Sequence, residues 1–411
     1  MLQSQLFVKP LRSFPADEEA QGAKFLVRAG FINKVMAGAY EYLPLGFRTL
    51  KKIEQIIREE MDAVGGQELL LTSLQEKQVW EKTGRWSDKE MDVWFKTKLK
   101  NDAELGLAAT HEEPITAMMK NFISSYRDLP VLAYQFQTKF RNELRAKGGI
   151  LRTREFLMKD LYSFAKNQEE HEEIYEKLKK AYFKIFKRVG LGEKTFITFA
   201  SGGSFSKYSH EFQAVADVGE DVIYLDKKKG LAVNKEVFNE ETLKDLGLKS
   251  ENLEEVKAVE VGNIFSLGTR FSEAFGLDYL DEKGEKYPVA MGSYGIGPGR
   301  VMGVLAEVFC DEKGLNWPEE VAPFKAHLIE LPGGEASIVY QDLLKKGVEV
   351  LFDDRKTSAG EKFAEADLLG IPYRLVVSSK TGDKVEVKKR GETKTELVAM
   401  TNLLKLLKPI S

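Results

Sequence analysis

The chain has 411 residues, of which 43% are hydrophobic and 10% aromatic, so it is long enough for two or three domains that each bury a core. Lys+Arg number 61 and Asp+Glu 64, and the net charge of -3 excludes a global basic field, so nucleic acid would have to be bound by local basic patches. The single Cys310 excludes an intramolecular disulfide, and one Cys with four His argues against a His/Cys zinc site.

The sequence also bears on where the protein resides. It contains no apolar run of membrane-spanning length. Its first ten residues, MLQSQLFVKP, do not have the form of a signal peptide. We therefore predict a cytoplasmic protein that does not associate with membranes.

The first half of the chain is predicted to mix amphipathic helices with strands. Apolar residues recur at helical spacing in some segments, and segments of β character alternate with them. The predicted helices cover 45–64, 114–126 and 167–190, and the predicted strands cover 131–140 and 154–165. The two strands enclose a basic, Gly-containing loop, which predicts a hairpin with its positive charge at the tip.

The second half changes character at residues 221–259, which are rich in Lys, Glu and Asn and are predicted to form a small polar insertion without a core. A strand over 287–297 is predicted to run into a helix over 298–310, with Pro298 suited to its first turn. Residues 317–324 read as a linker. Beyond it, alternating strands and helices predict a compact α/β domain of parallel and mixed strands.

The hairpin segment FRNELRAKGGILRTREF, residues 140–156, concentrates the basic charge. Arg141 and Glu143 lie at one end, Arg152 lies near the other, and Arg145 and Lys147 lie between them. One interpretation is a solvated turn, because surface loops are often charged. The other is a clamp for a polyphosphate.

Three further segments contain candidate binding or catalytic residues. GSYGIGPGR, 292–300, matches neither a P-loop nor the dinucleotide fingerprint, and by itself favours a strand-to-helix junction, although Arg300 could reach a base or a phosphate. In ATHEEPIT, 109–116, Thr110 and Glu113 could form a helix capping box, which leaves Glu112 to bind an ammonium-bearing ligand. In GGSFSKYSHEF, 202–212, adjacent strand residues point to opposite faces, which argues against a Ser-His-acid triad and leaves a pocket lining.

In chain order these segments resemble the bacterial-type prolyl-tRNA synthetases, a class II aminoacyl-tRNA synthetase family, over almost the whole chain. The class II motifs are similar to GAYEYLPLGFRTLKKIEQIIREEMDAVGGQELLL, FRNELRAKGGILRTREFLMKDLYSF and MGSYGIGPGRVMGVLAE. THEE, SHEF with GED, and EVGNIFSLGTRFS resemble the proline branch in particular. The segment from APFKAHLIEL to LFDDRKTSAGEKFAEADLLGIPYRLVV is similar to the anticodon-binding domain of that family.

The resemblance implies an α+β architecture followed by an α/β domain. An antiparallel sheet flanked by helices would form the catalytic domain, and a C-terminal α/β domain would bind the anticodon. The implied boundaries are catalytic domain 1–220 and 260–321, a short insertion 221–259 in place of the editing domain, and anticodon-binding domain 322–411.

The resemblance also implies the reaction: activation of L-proline with ATP to prolyl-adenylate, then transfer to the 3′ end of tRNA(Pro). Arg141 would bridge the prolyl carboxylate and the α-phosphate, which makes it the catalytic residue. Fixed positive charge suits a reaction that places negative charge on phosphate oxygens. The remaining nucleotide-site roles would be Glu143 for the adenine amino group, Arg152 for the γ-phosphate, Phe156 and Arg300 for the adenine faces, and Glu260 for Mg²⁺. Arg154 and Glu155 are predicted to form an ion pair that braces the hairpin.

Proline and tRNA contacts are implied in the same way. Thr110 and Glu112 would recognise the prolyl nitrogen with Asp160 supporting charge nearby. The ring pocket would be shaped by Ser209, His210 and Phe265. Arg145 resembles the residue that meets the tRNA acceptor end. Anticodon contacts are predicted near Asp353, Asp354 and Arg355, with closure of a strand end as the alternative for that cluster.

The sequence departs from the family pattern in four places. Thr72 stands where the first motif usually ends in a proline, which would either loosen the implied homodimer or only alter a strand end. Ser293 and Asn263 replace a usual Cys and His, both tolerable polar exchanges. Residues 221–259 are too few for the full editing domain, so clearance of mischarged alanyl-tRNA would need a separate editing protein or would not occur. The alternative functions are a threonine-type class II synthetase and a non-catalytic tRNA-binding paralogue.

Overall fold

The protein was analysed as a computed structural model that describes residues 1–202 and 208–407. Within these residues the helices are α1 (Gln21–Arg28), α2 (Pro44–Ala63), α3 (Lys77–Glu81), α4 (Glu112–Met119), α5 (Gln168–Val189), α6 (Glu240–Asp245), α7 (Arg270–Phe275), α8 (Pro298–Phe309), α9 (Ala336–Lys345), α10 (Ala359–Leu369) and α11 (Met400–Leu406). In the same part of the chain, no helix is long and apolar enough to cross a membrane.

The strands of the described residues are mostly antiparallel to their neighbours. They are β1 (Ile32–Met36), β2 (Ala39–Tyr42), β3 (Gln67–Glu68), β4 (Leu74–Glu76), β5 (Phe95–Lys98), β6 (Glu104–Leu107), β7 (Val131–Phe140), β8 (Glu155–Ala165), β9 (Thr195–Ser201), β10 (Tyr208–Val215), β11 (Asp221–Asp226), β12 (Leu231–Asn234), β13 (Glu254–Gly268), β14 (Asp278–Leu280), β15 (Lys286–Pro288), β16 (Ala290–Ile296), β17 (Ala326–Glu330), β18 (Val350–Asp353), β19 (Tyr373–Val377), β20 (Lys384–Lys389) and β21 (Glu396–Ala399).

The chain forms two compact units, one of them made of Ala37–Ala39 and Glu54–Val304. Its main sheet, among the described residues, has nine strands in the order β10-β9-β12-β11-β13-β16-β8-β7-β3. The central strands β13, β16, β8 and β7 are all antiparallel neighbours. β7 and β8 pair along their whole length, so the basic loop between them lies at the end of a long hairpin, as predicted.

Helices pack against this sheet, and side chains alternate between its two faces. On β8, Tyr162 and Phe164 pack with residues of α4 and α7. Lys159, on the opposite face, donates from Nζ to Tyr182 Oη of α5 at 2.6 Å. The predicted α+β arrangement, an antiparallel sheet flanked by helices, is therefore confirmed.

Residues 221–259 are an integral part of the sheet. β10 pairs with β9 and β13, and β12 pairs with β9 and β11, so β13, β10, β9, β12 and β11 close into a ring. Apolar side chains fill two clusters here, one around Ile223 and Leu225 and one around Val233 and Leu243. The expectation of a polar segment without a core is wrong, because short strands need apolar residues only at alternate positions and a charged composition can conceal them.

The second unit contains Met1–Met36, Tyr40–Ile53 and the chain from Leu305 onwards. Its five-stranded sheet has the order β18-β17-β19-β20-β21, with parallel pairing among the first three strands and antiparallel pairing among the last three. This confirms the predicted α/β domain of parallel and mixed strands. The N-terminal residues join the same unit: Phe31 stacks on Trp317 with ring centroids 5.3 Å apart, and Arg48 Nε donates to Pro323 O at 2.8 Å.

The predicted helices differ from the observed ones mainly at their ends. Asn167 caps the start of α5 by accepting from Glu170 N, and Gly190, with φ 98°, ends the helix as a left-handed residue. The helix predicted over 114–126 is shorter, Glu112–Met119. Phe47 is half exposed although the periodicity placed it on the buried face of α2.

Candidate active site

A cavity of about 270 Å³ opens on the face of the central sheet that carries α4. Its walls come from the middle of β8, from β13 and β16, from the segments after α3 and β7, and from the segments before α4 and β5. The residues that line it are Arg85, Met91, Val93, Ala109, Thr110, Glu112, Arg141, Glu143, Met158, Asp160, Tyr162, Asn263, Phe265, Leu267, Ser293 and Gly295. The cavity thus combines apolar side chains with a few buried carboxylates.

Glu112, the first residue of α4, is the buried carboxylate with the most contacts in this cavity. Thr110 Oγ1 donates to its Oε2 at 2.6 Å, and Arg85 Nη1 donates to the same oxygen at 3.3 Å. Ser293 Oγ and Tyr162 Oη donate to Oε1 at 3.2 and 3.4 Å. Burial by itself would raise the pKa of Glu112, but the Arg85 guanidinium and the Thr110 hydroxyl hold it below its ordinary value.

Glu113 points to the same arginine. Arg85 Nη1 lies 3.0 and 3.1 Å from its two carboxylate oxygens, and Thr83 Oγ1 donates to Oε1 at 2.7 Å. Burial and the charge of Glu112 raise the pKa of Glu113 to about 7. The capping box predicted for Thr110 and Glu113 is wrong: the N-cap of α4 is His111, it makes no side-chain cap, and the Thr110 hydroxyl binds Glu112.

Asp160 anchors a buried network beneath the cavity. Lys139 Nζ donates to its Oδ1 at 2.7 Å and lies 2.7 Å from His111 Nδ1. Gln135 Nε2 and Tyr162 Oη donate to Oδ2 at 2.9 and 3.1 Å. Burial lowers the pKa of Lys139, and burial with the nearby Lys139 lowers that of His111 to about 4. Asp160 therefore already has a buried counter-ion.

A second, narrower cavity of about 40 Å³ adjoins the first. It is lined by Arg141, Glu143, Ile150, Leu151, Arg152, Thr153, Phe156, Leu157, Met158, Glu260, Val261, Gly262, Asn263, Gly295, Gly297 and Arg300. The two cavities share five of these residues: Arg141, Glu143, Met158, Asn263 and Gly295. The six residues assigned to the nucleotide from the sequence all lie on this second lining.

Arg141 lies where the two cavities meet. Its Nε donates to Ala109 O at 3.2 Å, and its guanidinium carbon lies 5.4 Å from the centre of the Phe156 ring. Burial and the charge of Arg300 lower the pKa of Arg141 from its ordinary value. The shift signals that an anion would be favourable beside this guanidinium.

The other two arginines of the second cavity, Arg152 and Arg300, are engaged with carboxylates of the protein. Arg152 Nε donates to Glu143 Oε2 at 3.1 Å and its Nη1 to Glu220 Oε2 at 2.6 Å. Arg300 Nη1 donates to Glu260 Oε2 at 3.1 Å. A polyanion that binds here must exchange with these partners.

The ion pair predicted between Arg154 and Glu155 does not match the observed contacts. Arg154 donates to the backbone carbonyls of Glu143 and Ala37, at 3.0 and 2.5 Å, and Glu155 is exposed. Arg154 still braces the hairpin, through backbone acceptors instead of a carboxylate.

Three carboxylates cluster behind the second cavity, on β10, β11 and β13. Gln213 Nε2 donates to both Glu211 and Asp221, at 2.8 and 2.7 Å, and Asn263 Nδ2 donates to Glu260 Oε1 at 2.7 Å. Burial and the charge of Glu260 raise the pKa of Glu211 to about 8, and burial also raises that of Asp221. A bound cation would therefore relieve the repulsion between these carboxylates.

Two predicted proline contacts lie away from the cavity. His210 projects toward α5, where its Nδ1 lies 2.7 Å from Tyr175 Oη, on the face opposite the cavity. Ser209 is fully buried, and its hydroxyl donates to Ser201 O at 2.8 Å. Their assignment to the ring pocket does not fit the structure, because neither residue is on the lining. Residues 203–207 of the same segment lie outside the described residues.

The predicted tRNA contacts differ in accessibility. Arg145 is exposed at the hairpin tip. Asp353 is fully buried, and its two oxygens accept from Arg355 Nε and Nη2, both at 2.8 Å. The Asp354 carboxylate accepts from Ser4 N and Oγ at 2.9 and 2.6 Å. Direct base contact by Asp353 therefore does not fit, and the alternative that this pair closes a strand end does.

The sequence analysis did not identify Arg85 and Lys139, the cations that the fold brings beside Glu112 and Asp160. Arg85 lies in WEKTGRWSD, which carries no recognisable functional pattern by itself. Lys139 lies near the end of the strand segment that leads into the basic loop, where its sequence position does not show that it is buried. The signal in the sequence was the adjacent pair Glu112 and Glu113, because two carboxylates that become buried together need a buried cation beside them.

Comparison with known proteins gives consistent matches along the chain. A class II core domain model of the tRNA synthetases for G, H, P, S and T matches residues 95–309, and an anticodon-binding domain model matches residues 321–410. A proline–tRNA ligase of Bacillus cytotoxicus is 33% identical over 559 aligned residues, covering 98% of each chain. One from Caldicellulosiruptor saccharolyticus is 34% identical over 543, covering 94% of each. Both alignments are longer than 411 residues, so these relatives contain residues without a counterpart here.

Solved structures resemble the fold. Prolyl-tRNA synthetase from Cryptosporidium parvum, complexed with L-proline and AMP, has a TM-score of 0.77 at 18% identity, over 97% of this chain and 77% of that chain. The Giardia lamblia prolyl-tRNA synthetase in complex with prolyl-adenylate has a TM-score of 0.75 at 20% identity, over 92% and 74%. At these identities the likeness supports the fold alone.

Proposed function

The chain belongs to the prolyl-tRNA synthetases, a branch of the class II aminoacyl-tRNA synthetases, and we propose that it activates L-proline with ATP and transfers the prolyl group to the 3′ end of tRNA(Pro). The observation that carries this proposal is the position of Arg141 between two adjoining cavities. One cavity offers a carboxylate and apolar walls, and the other offers arginines and an aromatic ring. A small apolar ammonium compound and a nucleotide would meet at this guanidinium.

The chemistry requires alignment more than acid-base catalysis. A prolyl carboxylate oxygen bonds to the α-phosphorus of ATP while the bond from that phosphorus to the bridging oxygen breaks and diphosphate leaves. Negative charge develops on phosphate oxygens during this step, and a fixed guanidinium stabilises it without a proton transfer. Arg141 would contact both reacting groups. In the second step a ribose hydroxyl of the tRNA 3′ end attacks the prolyl carbonyl carbon and AMP leaves.

For the amino acid, Glu112 and Thr110 would bind the secondary ammonium of proline. Glu112 is held ionised, which suits a cationic ligand. The apolar walls for the ring would come from Phe265, Met158 and Leu267. Asp160 would add negative charge near the ammonium from beneath the cavity, and it is itself paired to Lys139. Ser209 and His210 have no place in this pocket.

For the nucleotide, Phe156 and Arg300 would pack on the adenine faces, Glu143 would accept from its amino group, and Arg152 would bind the γ-phosphate. The cavity at this place, about 40 Å³, is smaller than an adenine ring. Arg152 must also release Glu143 before that carboxylate can bind the base. ATP binding therefore involves side-chain rearrangement in the hairpin loop.

Mg²⁺ would be held by carboxylates behind the phosphate site, Glu260 first and Glu211 with it. Hard carboxylate oxygens suit Mg²⁺, and burial together with the charge of Glu260 raises the pKa of Glu211, so a cation beside it would be favourable. When bound, the ion would supply positive charge to the phosphate oxygens of ATP.

For tRNA, the exposed Arg145 would meet the acceptor end, and the domain that matches the anticodon-binding model would bind the anticodon. Asp354 and Arg355 are partly exposed at the edge of that domain and remain candidates for base contacts. The homodimer and a separate editing protein remain predictions from the family resemblance.

The test is ATP–diphosphate exchange measured with each of the common amino acids in turn. Proline alone should support rapid exchange. Preferential exchange with threonine or serine would refute the assignment. Absence of exchange from a folded protein that still binds tRNA would favour the non-catalytic paralogue.

A further inference from the structure

Arg85 is held rigidly at the wall of the amino-acid cavity by contacts that do not involve substrate. Its guanidinium lies over the rings of Trp80 and Phe271, 5.2 and 5.6 Å from their centres. Trp94 Nε1 donates to its backbone carbonyl at 3.0 Å. The side chain is only 17% exposed, so its direction is fixed by packing.

This guanidinium is shared between two consecutive carboxylates. Nη1 contacts Glu112 Oε2 at 3.3 Å and both Glu113 oxygens at 3.0 and 3.1 Å. Two ionised carboxylates in the first turn of one buried helix are unfavourable without a cation. Glu112 faces the cavity, whereas Glu113 is fully enclosed and takes a further hydrogen bond from Thr83.

We propose that Arg85 is a positioning residue for amino-acid recognition: by pairing with Glu112 across the cavity wall, it keeps that carboxylate ionised and aimed at the substrate nitrogen. The inference rests on the proposed role of Glu112 in binding the prolyl ammonium. Arg85 itself needs no contact with proline, because its effect passes through the carboxylate.

Other charged and titratable groups surround Glu112. They are Glu113 on α4, His111 before it, Lys139 on β7, Asp160 and Tyr162 on β8, Arg141 after β7, and Arg85. Lys139 bonds to Asp160, and Arg141 bonds to the carbonyl of Ala109. Of the cations in the described residues, Arg85 is the one that hydrogen-bonds to Glu112.

Removal of Arg85 should change the titration of Glu112 in a defined direction. In the native protein the pKa of Glu112 lies below its ordinary value, so the carboxylate is ionised throughout the neutral range. In Arg85→Gln the burial remains and the opposing cation is gone, so the pKa of Glu112 rises. Proline binding should then be weak at low pH and recover as the pH is raised.

The primary experiment compares Arg85→Gln with the native full-length protein in ATP–diphosphate exchange. The KM for proline should rise roughly tenfold to a hundredfold, the range expected for loss of a charge-assisted hydrogen bond, while the KM for ATP should stay near the native value. Arg127→Gln is the matched control, because Arg127 is exposed and its guanidinium packs on Tyr126. A native KM for proline in Arg85→Gln would overturn the proposal.

The decisive readout is the pH profile, which a merely structural role would not change. For Arg85→Gln, kcat/KM for proline should increase as the pH is raised, because the pKa of Glu112 is higher than in the native protein, whereas the native profile stays flatter on its acid side. Adding Glu113→Gln to this variant removes the adjacent like charge and should move the rise to lower pH. A uniform loss at every pH, unaffected by Glu113→Gln, would contradict the proposal.

Two further variants separate the possible failures. If Arg85→Gln is not folded, Arg85→Lys keeps a buried cation but not the guanidinium that packs over Trp80 and Phe271, and should give an intermediate KM for proline. A native KM in Arg85→Lys would refute the positioning of Glu112 by the guanidinium. Glu112→Gln tests the premise. An unchanged KM for proline in Glu112→Gln would refute the ammonium contact itself. A raised KM in Glu112→Gln with a native one in Arg85→Gln would refute only the role of Arg85.

Discussion

Arg141 is the one cavity arginine whose terminal nitrogens are not used by a protein carboxylate in the described part of the chain. Its backbone N donates to Arg154 O at 2.8 Å and its Nε to Ala109 O at 3.2 Å, so the side chain is oriented while Nη1 and Nη2 stay available. Arg152 and Arg300, by contrast, begin in ion pairs. Preorganisation of this kind is what allows a fixed charge to stabilise a transition state.

Arg141→Ala should therefore reduce kcat for ATP–diphosphate exchange by at least about a hundredfold, the usual effect of deleting a preorganised charge at a reacting oxygen. The fold should persist, because the residue supports no carboxylate pair. Exchange kinetics and thermal melting would be measured together. Arg127→Ala serves as the control with native kinetics, and near-native turnover in Arg141→Ala would show that the clamp interpretation is wrong.

Glu211 supports a prediction on pH and stability. Its pKa is raised to about 8 in the folded protein, so the folded state favours the protonated form. The cost of ionising it begins above its ordinary pKa, near 4.5, and is complete above about 8. Glu211→Gln removes this cost, so its Tm should exceed the native Tm at pH 9 and approach it at pH 5. An equal Tm difference at both values would refute the raised pKa.

At the scale of elements, the hairpin β7–β8 carries most of the nucleotide site. Gly148 and Gly149 take left-handed φ values of 69° and 63°, which a residue with a side chain rarely adopts, and they turn the loop back toward β8. Glu220, just before β11, then holds the loop through Arg152 at 2.6 Å and Lys147 at 3.1 Å. The basic loop is thus bound, through Glu220, to the segment that leads into the ring of five strands.

Glu220→Gln should lower the KM for ATP, by up to about fivefold, because the partly exposed pair it breaks with Arg152 is worth only about 0.2–1 kcal/mol. Arg152 then still bonds to Glu143 but has one carboxylate partner fewer to exchange when it binds the γ-phosphate. The control is Glu193→Gln, which removes a charge from an exposed position. A higher KM for ATP would instead mean that Glu220 holds the loop in its binding geometry.

These elements show what the sequence could and could not predict. β7, β8 and the basic loop are contiguous, so periodicity and charge located them and Arg141 with them. Arg85 reaches Glu112 from 27 residues earlier in the chain, through a tertiary contact with no local signature. His210 was misplaced because the motif gave its position along β10 but not the face toward which it points.

At the scale of the whole molecule, the relatives are longer than this chain, and residues 221–259 fold as sheet strands with their own small core. A pocket that fits proline discriminates against alanine by only about 1–3 kcal/mol, because the difference is a few methylene groups. The family resemblance implies that the residues absent here correspond to an editing domain, in which case errors of this kind would persist.

The purified enzyme should therefore form alanyl-tRNA(Pro) and fail to hydrolyse it. Preformed alanyl-tRNA(Pro) would be added and its deacylation followed against the uncatalysed background. An editing-proficient relative with the full insertion is the positive control. Rapid hydrolysis by this chain alone would mean that an editing site exists elsewhere in it.

The second unit is built from segments near both ends of this sequence, and this sets the order in which the two units can fold during synthesis. Phe31 and Arg48 leave the ribosome early, but their partners Trp317 and Pro323 emerge more than 250 residues later, on the order of 10–60 s at cellular elongation rates. The other unit, Glu54–Val304 with Ala37–Ala39, is almost continuous in sequence and can fold meanwhile. Met1–Met36 and Tyr40–Ile53 must wait for these partners within the nascent chain, so a ribosome that stalls before codon 305 leaves their apolar residues exposed to chaperones and proteases.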